Sequence, residues 1–188
     1  MKIWRDIKDF ILSYYYRKSQ YFLVSFPKTG RTWLIHMINQ MKEQSNHKLK
    51  KEKYFIFNEH DNSEIILEDG TRNNPLDVFK FTSRFRYKRG KVIFLVRDPR
   101  DVIISHFFQV TKRSKNPFVF NSISEFVKDD ILGFKRIIHF YNVWKRNKDI
   151  PQDFLLVSYE NLINNGIQEL QKINDFLKIN ISKDIIRY

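Results

Sequence analysis

An open α/β fold, with a parallel sheet flanked by helices on both faces, is predicted by the order of the apolar segments. Four short runs, YFLVSF at 21–26, YFIF at 54–57, KVIFLV at 91–96 and FLLVS at 154–158, have the length of buried strands and are bounded by charge or turn residues. Stretches of helical apolar period lie between them, and strands alternating with helices imply parallel pairing. Two of the strand ends lead into basic, turn-forming segments, and ligands of such sheets bind outside the carboxyl ends of the strands.

The elements follow in order. Ile3, Trp4, Ile7, Phe10, Ile11, Tyr14 and Tyr15 recur at the 3.6-residue period of an amphipathic helix, one that packs on the core or lies on a membrane surface. Trp33, Leu34, Met37, Ile38 and Met41 share one face of a helix just after the first strand. A second helix is expected from about Asp101. A third opens with Ser122 and Glu125 in capping-box spacing and continues through Phe126, Val127, Ile131, Phe134, Ile137, Ile138, Tyr141 and Trp144. Ile167, Leu170, Ile173, Phe176 and Leu177 mark the last. The polar stretch from Asp61 to Asn74, with Gly70, reads as a long loop.

At 188 residues the chain is expected to form a single domain over 1–188. With 42% hydrophobic and 29% charged residues it has the composition of a globular protein, which excludes a disordered tail or a coiled rod. There is no Cys, which excludes disulfides, thiolate metal sites and a thiol nucleophile. No apolar run approaches the ~18 to 20 residues of a membrane span, and the charged N-terminus does not read as a signal peptide, so a cytoplasmic location is expected. The abundance of Phe (18) and Tyr (9), with no Ala at all, reads as codon bias, which lowers the functional weight of any aromatic-rich stretch.

The formal net charge is +13. From Lys80 to Lys115 there are 11 basic and 2 acidic residues, and from Arg17 to Arg31 there are 4 basic and none acidic, so these two segments carry the whole excess. A field focused in that way attracts an anionic ligand. In the first segment Pro27, Lys28, Thr29, Gly30, Arg31 and Thr32 form a glycine-containing turn that opens directly into a helix. Such a turn aims several N–H groups and the positive end of the helix dipole at one spot. Lys28 and Arg31 add charge there, and Thr29 and Thr32 add hydroxyl donors. This is not a Walker A loop, because Lys28 precedes Gly30 and no first glycine is present. In the second segment, VRDPRDVIIS, Arg97 ends the third strand and Ser105 lies about one helical turn into the next helix, while Asp98 or Asp101 could cap that helix and pair with Arg100.

Together these segments resemble the sulfotransferase family that uses 3′-phosphoadenosine 5′-phosphosulfate. SFPKTGRTW is similar to the family's 5′-phosphosulfate loop, YPKSGTTW; LVRDPRDVIIS is similar to its 3′-phosphate motif, RNPKDVAVS; and VSYENL at 157–162 is similar to its YEDL segment. The resemblance implies a P-loop-like three-layer architecture. It also implies that Lys28 and the amides of Thr29, Gly30, Arg31 and Thr32 hold the 5′-phosphosulfate, that Arg97 and Ser105 hold the 3′-phosphate, and that Trp33 and Tyr159 flank the adenine. The family's catalytic His, in a K-T-H segment after a strand, has its nearest counterpart at His60 in FIFNEHD, with Asn58 at the family's lysine position and Glu59 as the second candidate base. His36, His47, His106 and His139 are expected to be packing or surface residues. The family's basic, glycine-rich C-terminal segment, R-K-G-x-x-G-x-W-K, has no counterpart up to Tyr188, so a short form is expected.

The implied reaction is an in-line sulfuryl transfer to an acceptor hydroxyl or amine, with Lys28 stabilising charge on the leaving phosphate and no metal required, since the sequence has no thiolates, no H-x-x-x-H pair and no carboxylate cluster. The acceptor and the oligomeric state stay open. The rival readings are a nucleic-acid-binding protein, prompted by SRFRYKRGK, a nucleotide kinase, and a non-catalytic nucleotide binder on the same fold.

Overall fold

In a computed structural model of the chain, residues 21–45, 56–59, 87, 90–115 and 117–182 are described. Four strands, β1 (Tyr21–Ser25), β2 (Ile56–Glu59), β3 (Lys91–Val96) and β4 (Asp153–Ser158), form one sheet in the order β2-β1-β3-β4. All three pairings are parallel, so the carboxyl ends of the strands share one edge. Leu23 stands between Asn58 and Ile93 in register. The chain leaves β1 toward β2 on one side and β3 toward β4 on the other, which puts the topological switch point between β1 and β3.

The unbroken apolar runs arise because the central strands are covered on both faces. Tyr21, Leu23, Ile93 and Leu95 point into a core shared with α1 (Arg31–Gln44), α5 (Tyr159–Asn164) and α6 (Gly166–Leu177). Phe22, Val24, Val92 and Phe94 point into a second core with α2 (Pro99–Lys112), α3 (Ile123–Lys128) and α4 (Phe134–Arg146). The result is the three-layer arrangement expected. Each fully buried Leu or Phe stabilises it by about 1.5 to 3 kcal/mol. In the second core the Phe94 ring stacks on Trp144 with centroids 5.4 Å apart.

Several boundaries differ from expectation. The second strand was expected at 54–57, but its described pairing runs from Ile56 to Glu59, because β1 continues as partner as far as Val24. The helix expected from Asp101 begins at Pro99, a residue suited to the first helical position, with Asp98 as its cap. The helix expected to run unbroken from Ser122 to Trp144 is two helices. Asp129 adopts an extended conformation and its Oδ1 accepts from the N–H groups of Ile131 (2.9 Å) and Leu132 (2.7 Å), which diverts the backbone. At Gly133 a Cβ would stand 2.2 Å from the Asp129 carbonyl oxygen, so the turn accepts no side chain there. The VSYENL segment contains a short helix of its own, α5, capped by Ser158 Oγ accepting from Asn161 N–H at 3.0 Å. The predicted N-terminal helix, the loop from Asp61 to Asn74 and His60 lie outside the described residues.

Candidate functional site

The site is built at the carboxyl edge of β1 and β3. After β1, the chain turns through Lys28 (φ 72°) and Gly30 (φ 94°), both left-handed. That conformation is strained by roughly 1 to 3 kcal/mol at a non-glycine residue, and turns of this kind aim successive N–H groups into one concavity. Gly30 is required twice over, since a Cβ there would also lie 2.6 Å from the Tyr159 ring. Gly30 is the N-cap of α1, which has no side-chain cap and no acid in its first turn. The positive end of the α1 dipole is therefore not offset by a carboxylate of its own first turn. Arg31, Thr32 and Trp33 form that turn, Arg31 half-buried and Thr32 exposed.

Lys28 Nζ donates to Gln109 Oε1 at 3.2 Å, reaching across to α2. Thr29 corrects one expectation: its side chain is fully buried and the hydroxyl donates to the Phe26 carbonyl at 2.9 Å, so the hydroxyl closes the turn and does not face a ligand. Only the Thr29 backbone amide stays a candidate for the site.

The corner after β3 is organised differently. Asp98 caps α2 by accepting from Arg100 N–H at 2.8 Å and pairs with the Arg100 guanidinium at 2.5 Å, as the capping alternative foresaw. The hydrogen bonds from the Arg100 side chain and backbone hold the Asp98 carboxyl down to about 2. Arg97 stands at the strand end with one guanidinium nitrogen 3.2 Å from Asp101 Oδ2 and its cationic face 4.4 Å from the Tyr159 ring centroid. Arg97 Nε is buried without a hydrogen-bond partner among the described residues, a donor the fold leaves over.

The Tyr159 ring joins the two corners. It meets Gly30 of the first turn, lies under Arg97 of the second, and packs edge-on against Trp33 at 5.5 Å between centroids. Along α2, Asp101, Ser105 and Gln109 follow at four-residue intervals on one face. Asp101 touches Arg97 and Gln109 touches Lys28, which places half-buried Ser105 on the stripe between the two cations. Lys28, Gly30, Trp33, Arg97, Ser105 and Tyr159 are thus brought together. Glu59 ends β2 beside Val24, on the same edge of the sheet. His60, the expected base, follows it and lies outside the described residues. Of the other histidines, His36 and His139 are exposed, His106 is buried with its ring 5.7 Å from those of Phe26 and Phe126, and His47 lies outside the described residues.

Three participants escaped the sequence reading. Gln109 carries no motif and is identified only by its contact with Lys28. Tyr141 was expected as one apolar position of a helix, yet its hydroxyl accepts from Arg97 N–H (3.2 Å) and donates to Arg97 C=O (2.9 Å). Burial above all pushes that phenol up to about 12, so it stays a donor at any ordinary pH. Glu160 Oε1 accepts from Asp98 N–H at 2.8 Å; its place directly after Tyr159 was the available signal. Among the described residues no group of three or more His, Asp or Glu is arranged to hold a metal ion, and no helix is long and apolar enough to cross a membrane.

A family model described as Sulfotransferase domain matches residues 18–188. Sulfotransferase 2A1 of Mus musculus is 25% identical, over 97% of this chain and 66% of the relative. The amine sulfotransferase of Oryctolagus cuniculus is 22% identical, over 98% of this chain and 63% of the relative. The chain thus spans somewhat under two thirds of the length of these curated relatives. The crystal structure of mouse sulfotransferase SULT7A1 complexed with PAP superposes with a TM-score of 0.60 at 21% identity, over 88% of this chain and 60% of that one, which shows a shared fold.

Proposed function

The chain belongs to the sulfotransferase domain family, and from that premise we propose that it transfers a sulfuryl group from 3′-phosphoadenosine 5′-phosphosulfate to an acceptor hydroxyl or amine. The observation that carries the proposal is the Tyr159 ring, which touches Gly30 of one basic corner and Arg97 of the other and so joins the two corners. The donor set fits a nucleotide with phosphates at both ends of its ribose. One corner offers backbone N–H groups, an uncapped helix N-terminus and Lys28. The other offers Arg97, whose buried Nε has no hydrogen-bond partner among the described residues, and Ser105.

The bound donor supplies an activated sulfuryl group whose leaving group is a 5′-phosphate. Lys28 and the amides from Thr29 to Thr32 face that leaving oxygen and stabilise the charge that develops on it, a preorganised donor of this type being worth about 3 to 4 kcal/mol. Arg97 and Ser105 fix the 3′-phosphate and with it the distance of the sulfur from the acceptor. Trp33 and Tyr159, one edge-on aromatic pair, offer the base an apolar surface. His60, directly after β2, takes the proton of the acceptor nucleophile as its bond to sulfur forms and the bond from sulfur to the bridging oxygen breaks. As in phosphoryl transfer, most of the acceleration comes from positioning and electrostatics.

The test is transfer of labelled sulfuryl groups from the donor to phenols, alcohols, sugars and amines by wild type and Lys28→Ala. Wild type is expected to label at least one acceptor class, and the variant to turn over about a thousandfold more slowly. Equal turnover by the two proteins would remove the first turn from the mechanism. A non-catalytic nucleotide binder on the same fold would bind the donor and label nothing.

A further inference from the structure

Arg97 is held at four points, and three of them come from elements outside the strand and helix it connects. Its guanidinium is engaged by Asp101 on the following helix and by the face of Tyr159. Its backbone is engaged separately. The Tyr141 hydroxyl, projecting from α4, accepts from Arg97 N–H at 3.2 Å and donates to Arg97 C=O at 2.9 Å, satisfying both polar groups of the last residue before the helix turn. One residue on, Glu160 of α5 accepts from Asp98 N–H at 2.8 Å. Strand pairing stops at Val96 with Ser158, so without these partners the peptide groups of the corner would depend on water for their hydrogen bonds.

We propose that Tyr141 and Glu160 are positioning residues, which touch no ligand themselves and set the direction in which Arg97 presents its guanidinium to the 3′-phosphate of the nucleotide. The assignment rests on the donor reading above. The physical argument is that an arginine side chain has four rotatable bonds and reaches a phosphate in bidentate geometry only when its Cα–Cβ vector is fixed. A clamp on both the N–H and the C=O of the same residue fixes that vector, and the adjoining Asp98 N–H clamp prevents the corner from pivoting. The ring of Tyr141 also packs edge-on against Phe94 at 6.1 Å, which anchors its hydroxyl to the core of the sheet. The chain therefore reads the phosphate with one cation and aims that cation with two other side chains, Tyr141 lying 44 residues beyond Arg97 and Glu160 62 residues beyond Asp98.

The experiment is calorimetric titration of adenosine 3′,5′-bisphosphate and of 5′-AMP into wild type, Tyr141→Phe, Glu160→Ala and Glu160→Gln, with melting temperatures recorded beside them. Tyr141→Phe keeps the ring and loses the hydroxyl. It is expected to bind the bisphosphate about tenfold more weakly while binding 5′-AMP as before. Glu160→Ala is expected to lose several-fold in the same selective way. Glu160→Gln retains an oxygen acceptor and is expected to bind the bisphosphate at least as well as wild type. A purely structural role would lower the melting temperature and leave the ratio of the two affinities unchanged, and that result overturns the assignment; should Tyr141→Phe fail to fold, the contrast between the two Glu160 variants decides. Wild type that binds both nucleotides equally overturns the donor reading and this assignment with it, whereas wild type that discriminates beside variants that discriminate just as well overturns the assignment alone.

Discussion

The two helix N-termini that face the site lie on neighbouring strands and solve the same task in opposite ways. The N-terminus of α1 has a glycine cap, no side-chain cap and no first-turn acid, so its dipole and amides are directed at whatever anion enters. The N-terminus of α2 is capped by Asp98 and carries Asp101 in its first turn, so its dipole is already matched by carboxylates. On the proposed reading an anion at that second corner is bound through a side chain, Arg97, which the structure holds over the Tyr159 ring. The difference teaches that similar basic segments in a sequence can hide different recognition physics. On the proposed reading the first corner recognises through backbone shape and tolerates little change in φ, while the second recognises through a cation and depends on what aims it.

Breaking the first corner is expected to give the largest effect. Gly30→Ala imposes about 1 to 3 kcal/mol of strain at φ 94° and drives a methyl group into Tyr159, so both the melting temperature and nucleotide affinity fall together. Thermal melts beside titrations check it, and an unchanged affinity would show that the turn need not hold its shape. Thr29→Val is intermediate and sharpens the comparison, because its hydroxyl serves the Phe26 carbonyl. It is expected to lower stability by about 1 to 2 kcal/mol in denaturant unfolding, with nucleotide affinity within twofold of wild type. The smallest effect belongs to the second corner's cap. The Asp98 carboxyl is held near 2, below the ~3.9 of an unfolded chain, so its stabilisation is full above about pH 4 and is lost as pH falls through about 2. The melting temperature of Asp98→Ala should therefore lie below that of wild type at neutral pH and approach it between pH 4 and 2. A gap that stays constant across that interval would contradict the ionic part of the cap.

The sheet, its order of elements and both corners were legible in the sequence because they rest on local signals: continuous apolar runs, a glycine turn into a helix, and an arginine at a strand end. The break at Asp129–Gly133 was not legible, since the apolar period carries on through it and the interruption comes from a side chain diverting its own backbone. Nor was the destination of the Thr29 hydroxyl, which depends on a turn only three residues wide. Trp33 and Tyr159 were each singled out as aromatic neighbours of one base, and the structure brings their rings into edge-on contact with each other. Tyr141 and Glu160 were missed for a physical reason. Tyr141 falls on the apolar stripe of an amphipathic helix, where an aromatic residue is expected to pack, and nothing in the spacing reveals that its hydroxyl reaches a backbone 44 residues away.

The central claim is that the two corners form one site in which Arg97 is the cation that, beside Ser105, reads the 3′-phosphate. The most direct measurement is a binding cycle without metal: adenosine 3′,5′-bisphosphate and 5′-AMP, each titrated into wild type and Arg97→Ala. Wild type is predicted to prefer the bisphosphate by about 2 to 3 kcal/mol, and Arg97→Ala to lose that preference while its affinity for 5′-AMP stays unchanged. Equal losses for both nucleotides in the variant, or no preference in wild type, would contradict the claim.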